Sequence, residues 1–489
     1  MVSRLASADR AVARAVQDLG GRIMQKLPIV EGFAAVVPAS AVPSLRAVPG
    51  VRSVVPNAKV EMHGRYGEGS GVASAVYTDA VRAPQAWDAG WGGQGVGVAV
   101  IDTGINATGD LAGKVAHAED FTAERDNVDR YGHGTFVAGL IAGSGAGSEG
   151  AVQGVAPGAH LVSVKIAGRD GSTDVIKLLA ALQWVVTFKD AYDIRVLNLS
   201  LGVDSAQDYR TDPLNFAIER VWNAGIVVVT AAGNGGTGAG TIAKPGDDPL
   251  VITAGTADDH TTPALGDDTL AAFSGTGPTR SNGIAKPDLL APGKSVISVR
   301  SPGSTIDQSA PGARVGDLYF KGSGTSFSSA VAAGSAALVL SRSPQLDPNQ
   351  VKARLTTTAT PIAGVAAASA GAGQLDAWSA VASDSLVAAN QGVYGAAGGG
   401  SLQATRGLAC LRDSSGQCLA DWQANALTAF DPAEYAGSQW AGSRWQGSRW
   451  QGSRWQGSQW AGSQWAGSQW AGSQWAGSQW AGSQWAGSQ

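Results

Sequence analysis

Three short motifs follow one another along the chain: Asp102-Thr103-Gly104, His133-Gly134-Thr135 and Gly324-Thr325-Ser326. A carboxylate, an imidazole and a hydroxyl are the parts of a nucleophilic triad. A serine hydroxyl attacks poorly at neutral pH unless a base takes its proton and a carboxylate holds and charge-balances that base. The chain has five histidines, and only His133 is followed by Gly-Thr and an apolar helical run. This pattern assigns Ser326 as nucleophile, His133 as general base and then acid, and Asp102 as the group that orients His133.

Such groups need a frame. Val96–Ile101, Leu161–Ile166, Val196–Leu201, Ile226–Thr230 and Val251–Ala254 are short apolar β-rich runs, as expected of strands buried on both faces. Helical stretches lie between them. Asp174 can cap one that runs through Phe188, and Thr211 or Asp212 can cap one that ends before Gly225. The alternation predicts an α/β fold with a mostly parallel sheet and helices on both faces. Functional groups in such sheets gather at the carboxyl ends of the strands. Asp102 follows one predicted strand and Asn234 another. His133 and Ser326 each open a predicted helix, where free N–H groups and the positive dipole end favour a developing anion.

The order and setting of these motifs resemble the subtilisin-like (subtilase) serine proteases across about residues 85–384. The matching segments are Val98-Ala-Val-Ile-Asp-Thr-Gly104, His133-Gly-Thr-Phe-Val-Ala-Gly139, Ala231-Ala-Gly-Asn234, Lys286-Pro-Asp288 with Ala291-Pro-Gly293, and Gly324-Thr-Ser326. Where that family usually reads Gly-Thr-Ser-Met-Ala-x-Pro, this chain has Phe327, Ser328 and Ala330. The resemblance implies a serine endopeptidase acting on extended polypeptides through an acyl-enzyme, with no cofactor needed for the chemistry. It implies that Asn234 donates to the oxyanion together with the Ser326 backbone N–H. It further implies that Ser200, Leu201 and Gly202 form the strand edge to which a peptide adds, with Ala231, Ala232 and Gly233 as one pocket wall. Ala243 matches the pocket floor, and without a carboxylate there the preference is expected to be neutral or apolar. Relatives often bind a structural calcium in a loop after the histidine helix. Here that loop, residues 143–150, carries a single carboxylate, Glu149, and Asp110 matches a further ligand position. Calcium wants six or more oxygens, so a structural calcium stays open and no ligand is assigned.

Residues 1–62 resemble an inhibitory propeptide, which implies a zymogen. Residues 9–19, Val30–Val37, 41–48 and 51–55 read as helix, strand, helix and strand, with the family's opening strand expected to be missing. No signal-like apolar stretch is visible near Met1, so the true start is expected upstream and the protein is expected to be secreted or attached to the cell surface. In such a place Cys410 and Cys418 are expected to pair, two free thiols being the alternative; C-x7-C is not a zinc spacing.

Composition narrows the remaining classes. A net charge of -4 with 15% charged residues offers no basic face for nucleic acid. No apolar run reaches the roughly 18 residues that span a bilayer. A monomer is expected. Residues 385–436 read as a linker or small appendage, and 437–489 as a five-residue repeat holding ten of the sixteen tryptophans. A period of five fits neither helix nor strand. A largely disordered tract, a tract stacking on carbohydrate or cell envelope, and a self-stacked β-type repeat all stay open. The alternative function is that of an inactive relative that binds surfaces through this tail.

Overall fold

The computed structural model describes residues 2–4, 9–54, 59–62, 65–66, 75–203, 205–400, 410–412, 439–441, 469–470 and 473–474. Cys418 and most of the tryptophan repeat lie outside them, and with them the disulfide and tail expectations.

An amino-terminal unit carries β1 (Val2–Arg4), α1 (Asp9–Asp18), β2 (Arg22–Leu27), β3 (Gly32–Val36), α2 (Val42–Arg46) and β4 (Val51–Val54). Its four strands lie in the order β2-β3-β1-β4. Val12 and Val16 of α1 meet Phe33, Val37, Leu45 and Val54 in its own small core. The opening strand expected to be missing is present: β1 pairs antiparallel with both β3 and β4. β2 was not foreseen either, because Arg-Ile-Met-Gln-Lys-Leu shows no clean alternation of apolar residues.

Two strands follow, β5 (Lys59–Met62) and β6 (Arg65–Tyr66). The large domain then opens with α3 (Val76–Ala80) and α4 (Ala83–Asp88), and its sheet begins at β7 (Gly97–Asp102). The elements after it are β8 (Val115–Asp120), α5 (His133–Ala142), β9 (His160–Lys165), β10 (Ser172–Asp174), α6 (Val175–Phe188), β11 (Ile194–Leu199), β12 (Leu201–Gly202), α7 (Pro213–Asn223), β13 (Val227–Ala231) and β14 (Ile252–Asp258). Beyond them lie β15 (Thr269–Leu270), β16 (Leu289–Pro292), β17 (Val296–Val299), α8 (Thr305–Ser309), β18 (Arg314–Val315), β19 (Tyr319–Ser323), α9 (Thr325–Arg342) and α10 (Pro348–Thr357).

The main sheet runs β15-β14-β13-β11-β7-β9-β8, with β16 also on β14. Every pairing in it is parallel except that of β15. β7 lies between β9 on one side and β11 on the other, so the chain changes direction of travel across the sheet at β7. That switch opens a crevice at the carboxyl end of β7, where Asp102 sits. The predicted helix caps are present: Asp174 accepts from Lys177 N, and Asp212 from Leu214 N and Asn215 N. α9 is buried from Thr325 to Leu340 and packs against α5 and the sheet. No helix among the described residues is long and apolar enough to cross a membrane.

Residues 385–400, predicted as linker, lie along the large domain. Ala397 N donates to Arg210 O, Gly400 N to Thr211 O, and the Tyr209 hydroxyl to Tyr394 O. Glu219 of α7 is buried under this strap and accepts the Ala396 N–H at 2.6 Å. Burial first, and then the neighbouring Asp248 charge, push its pKa up to about 8. An unfolded glutamate loses its proton near 4.5, so between there and about 8 the folded state holds more protons than the unfolded one. Stability from this group therefore falls as pH rises through that window and levels off above it. Glu219→Gln should flatten that slope. Thermal melts from pH 4.5 to 8.5 should show the variant gaining on the parent as pH rises; parallel curves would contradict the assignment.

Candidate active site

Asp102 is the last residue of β7, and His133 is the first of α5. Both side chains are buried, and His133 Nδ1 lies 2.9 Å from each oxygen of Asp102. The Thr103 N–H also donates to Asp102 Oδ1, at 2.8 Å. This contact fixes the tautomer: the proton sits on Nδ1, which leaves Nε2 as the acceptor. Nε2 is buried and has no hydrogen-bond partner, which is costly unless a reacting group is to use it.

Ser326 stands in the first turn of α9 and is fully buried. Its hydroxyl donates to the Ser200 carbonyl at 2.9 Å rather than to His133. The structure thus joins two members of the expected triad directly, with the third parked on a neighbouring carbonyl. The Phe327 ring lies 5.9 Å from the His133 ring and 4.5 Å from Phe136, so the residue that departs from the usual methionine ties α9 to α5. The missing proline at Ala330 leaves the helix unbroken. Gly293 explains its own motif: a Cβ there would lie 2.1 Å from Ser328 Oγ and 2.8 Å from Gly324 O. Only glycine lets that loop press against the turn that carries Ser326.

Asn234 Oδ1 accepts from Thr325 N and from Thr325 Oγ1, each at 3.0 Å. With the oxygen committed, Nδ2 is the end of the amide that donates. Thr325 Oγ1 in turn accepts the Gly233 N–H at 3.0 Å. Sequence reasoning missed Thr325, whose only signal was its place beside Ser326. Ala231 ends β13, and Ala243 N donates to Ala232 O. Gly233 has φ 94, and a Cβ on it would lie 2.7 Å from the Ala243 Cβ. Ala232, Gly233 and Ala243 therefore form one continuous small-residue wall. Behind it the Lys244 ammonium is buried against Asp247 at 2.5 Å and Asp212 at 3.6 Å.

The cleft between these parts holds a strand of the chain itself. β5 pairs antiparallel with β10 on one side, Lys59 opposite Asp174, and with β12 on the other, Met62 opposite Leu201 and Glu61 opposite Gly202. β6 pairs with β19, Arg65 opposite Ser323 and Tyr66 opposite Gly322. Leu201 and Gly202 are thus the backbone edge against which β5 lies, and the Ser200 carbonyl accepts the Ser326 hydroxyl.

The loop weighed for calcium sets hydrogen-bond donors around Asp110. Asp110 accepts Gly147 N–H on Oδ1 at 2.7 Å and the buried Tyr319 hydroxyl on Oδ2 at 2.8 Å. The Tyr77 hydroxyl also lies in this pocket and donates to Gln153 O. The carboxylate meets donors where a cation would need further acceptor oxygens. Among the described residues no cluster of three or more His, Cys, Asp or Glu side chains could hold a metal.

A family model described as the subtilase family matches residues 93–395. Serine protease AprX of Bacillus subtilis (strain 168) is 44% identical over 266 residues, 53% of this chain. The match spans only 60% of AprX's own length. Subtilisin DY of Bacillus licheniformis is 33% identical over 282 residues, covering 57% of this chain and 89% of the relative. Subtilisin Savinase of Lederbergia lenta is 35% identical over 281 residues, with the same two shares.

Thr325→Val removes the hydroxyl that holds Asn234 and leaves the buried Gly233 N–H unpaired, a loss of about 1–3 kcal/mol. The expected result is a melting temperature several degrees lower and roughly tenfold slower modification of Ser326 by a phosphonylating reagent. Unchanged reactivity would show that Thr325 does not set the Asn234 amide.

Proposed function

The chain belongs to the subtilase family, and from that premise we propose that it is a serine endopeptidase made as a zymogen. The observation that carries this reading is the buried Asp102–His133 pair with an unpartnered Nε2, beside a cleft that already holds an extended strand. In the reaction the Ser326 hydroxyl turns from the Ser200 carbonyl to His133 Nε2 and attacks the substrate carbonyl carbon. The proton passes to Nε2, and Asp102 stabilises the resulting imidazolium. Asn234 Nδ2–H and Ser326 N–H receive the oxyanion. Loss of one such donor costs about 100- to 1000-fold in turnover. His133 then protonates the leaving amine, and water repeats the steps on the acyl-enzyme. Polypeptides bind as β5 binds, by backbone pairing on both sides. The uncharged wall of Ala231, Ala232, Gly233 and Ala243 favours neutral or apolar side chains. The intact histidine–aspartate pair speaks against an inactive surface-binding role.

Residues 1–62 act as the inhibitory segment. β5 leaves its pairing at Leu201, one residue after the Ser200 carbonyl that accepts the Ser326 hydroxyl, and β6 then pairs with β19, whose last residue is Ser323. The first cut falls between Met62 and Arg65. Purified parent protein should lose residues 1 to about 62 unaided and then hydrolyse casein, with loss of activity to a serine-directed covalent inhibitor. Ser326→Ala expressed alone should stay full length and leave casein intact. An alanine variant that still sheds the segment with no other protease present would sink self-processing.

The protein works outside the cytoplasm, and the tryptophan repeat touches a cell-envelope or carbohydrate surface through many weak stacking contacts on one tether. The loop at Asp110 works without calcium, a role supported by the tyrosine and backbone donors around that carboxylate. A chelator should leave the melting temperature of the processed protein unchanged, whereas Tyr319→Phe should lower it by about 3–6 °C. A large drop with chelator would contradict the assignment.

A further inference from the structure

Asp129 lies four residues before His133 and is buried. Its Oδ1 accepts from Gly132 N at 2.7 Å and from Thr103 Oγ1 at 2.8 Å. Its Oδ2 accepts from Thr135 N at 2.8 Å and from Thr135 Oγ1 at 2.6 Å. The direction of both hydroxyl bonds is settled by their other partners. Thr103 Oγ1 already accepts the Gly134 N–H at 2.9 Å, and Thr135 Oγ1 the Asn106 N–H at 3.0 Å. Each hydroxyl therefore spends its proton on Asp129, so the carboxyl group receives four donors. Burial raises the Asp129 pKa, and the bonds from Thr135, Gly132 and Thr103 oppose that rise.

These bonds replace something the helix lacks. The residue before α5 is Gly132, which has no side chain to cap the free N–H groups of the first turn. Asp129 takes the Thr135 N–H and Thr103 takes the Gly134 N–H, so the cap of the His133 helix is built from two separate segments. Thr103 is also the residue after Asp102, whose carboxylate its own N–H holds at 2.8 Å. One buried carboxylate thus ties the strand end that carries Asp102 to the helix turn that carries His133. Asp129 is itself held from behind, by Asn106 Oδ1 on its N–H and by Asn106 Nδ2 and the Ser301 hydroxyl on its carbonyl.

We infer that Asp129 is a positioning residue for the catalytic pair: it acts through Thr103 and the first turn of α5 to keep the imidazole in register with Asp102. This rests on the protease reading above. Asp129→Asn turns one oxygen into a donor facing donors and so breaks the clamp with little change in volume. The test uses the processed full chain and a small chromogenic peptide, with rates normalised to sites titrated to completion by a fluorophosphonate, and thermal melts alongside. For Asp129→Asn, kcat per titrated site should fall about 10- to 100-fold while KM moves less than about threefold. Thr103→Val, which cuts one arm of the clamp, should show a smaller fall of the same kind, and Thr103→Ser should recover most of it. A lower melting temperature with parental kcat per titrated site would reduce Asp129 to a structural role and overturn the inference. If Asp129→Asn does not fold, Thr103→Val decides alone, and parental kcat in it overturns the inference equally. Parent protein that takes no fluorophosphonate would instead remove the protease reading, and this one with it.

Discussion

The hydrogen bond between Asp102 and His133 is the contact on which the other features converge. Two groups that would prefer water are buried together; the Thr103 N–H helps to hold Asp102, while His133 Nε2 is left without a partner. The parallel sheet supplies one partner at a strand end and α5 supplies the other at a helix start. The two are tied at their ends by the bonds of Thr103 and Asp129 to the first turn of α5, and packing fixes the rest of their relative placement. Phe327 against Phe136, and α9 against α5, provide that packing. The same helix α9 carries Ser326, so one buried element fixes the third group relative to the first two.

The cleft beside that pair is built to accept backbone before it accepts side chains. β10 and β12 are short strands with a gap between them, and an extended chain fills it from both sides. Unpaired strand edges are sticky, and here the chain's own β5 covers them. A cleft that recognises main chain also recognises the segment that precedes it. The parked hydroxyl of Ser326 on the Ser200 carbonyl agrees with a site that is assembled but not engaged.

Much of this was readable from residue types. The five apolar runs became β7, β9, β11, β13 and β14 within a few residues, because strands buried on both faces must be continuously apolar. Asp174 and Asp212 marked helix starts because their side chains have one good local use. β8, Val-Ala-His-Ala-Glu-Asp, was invisible, since an edge strand carries polar residues and no apolar run. β5 and β6 were equally hidden: Lys-Val-Glu-Met and Arg-Tyr have weak intrinsic preference, and their strand form comes from partners more than a hundred residues away. The Thr325 anchor on Asn234 and the Tyr319 hydroxyl on Asp110 depend on contacts across the fold that no spacing rule reports. The expected absence of the first strand failed because Val2–Arg4 is too short to stand out, yet it is held between two partners.

The central claim is that a complete nucleophilic site lies under a strand of the same chain. Its most direct measurement is the labelling of Ser326 by a fluorophosphonate, located by peptide mass spectrometry, in unprocessed and processed protein prepared side by side. One label per processed chain, on Ser326, with almost none on chains that still hold β5 in the cleft, is the predicted result. Equal labelling of both forms, or label on a different serine, would contradict it.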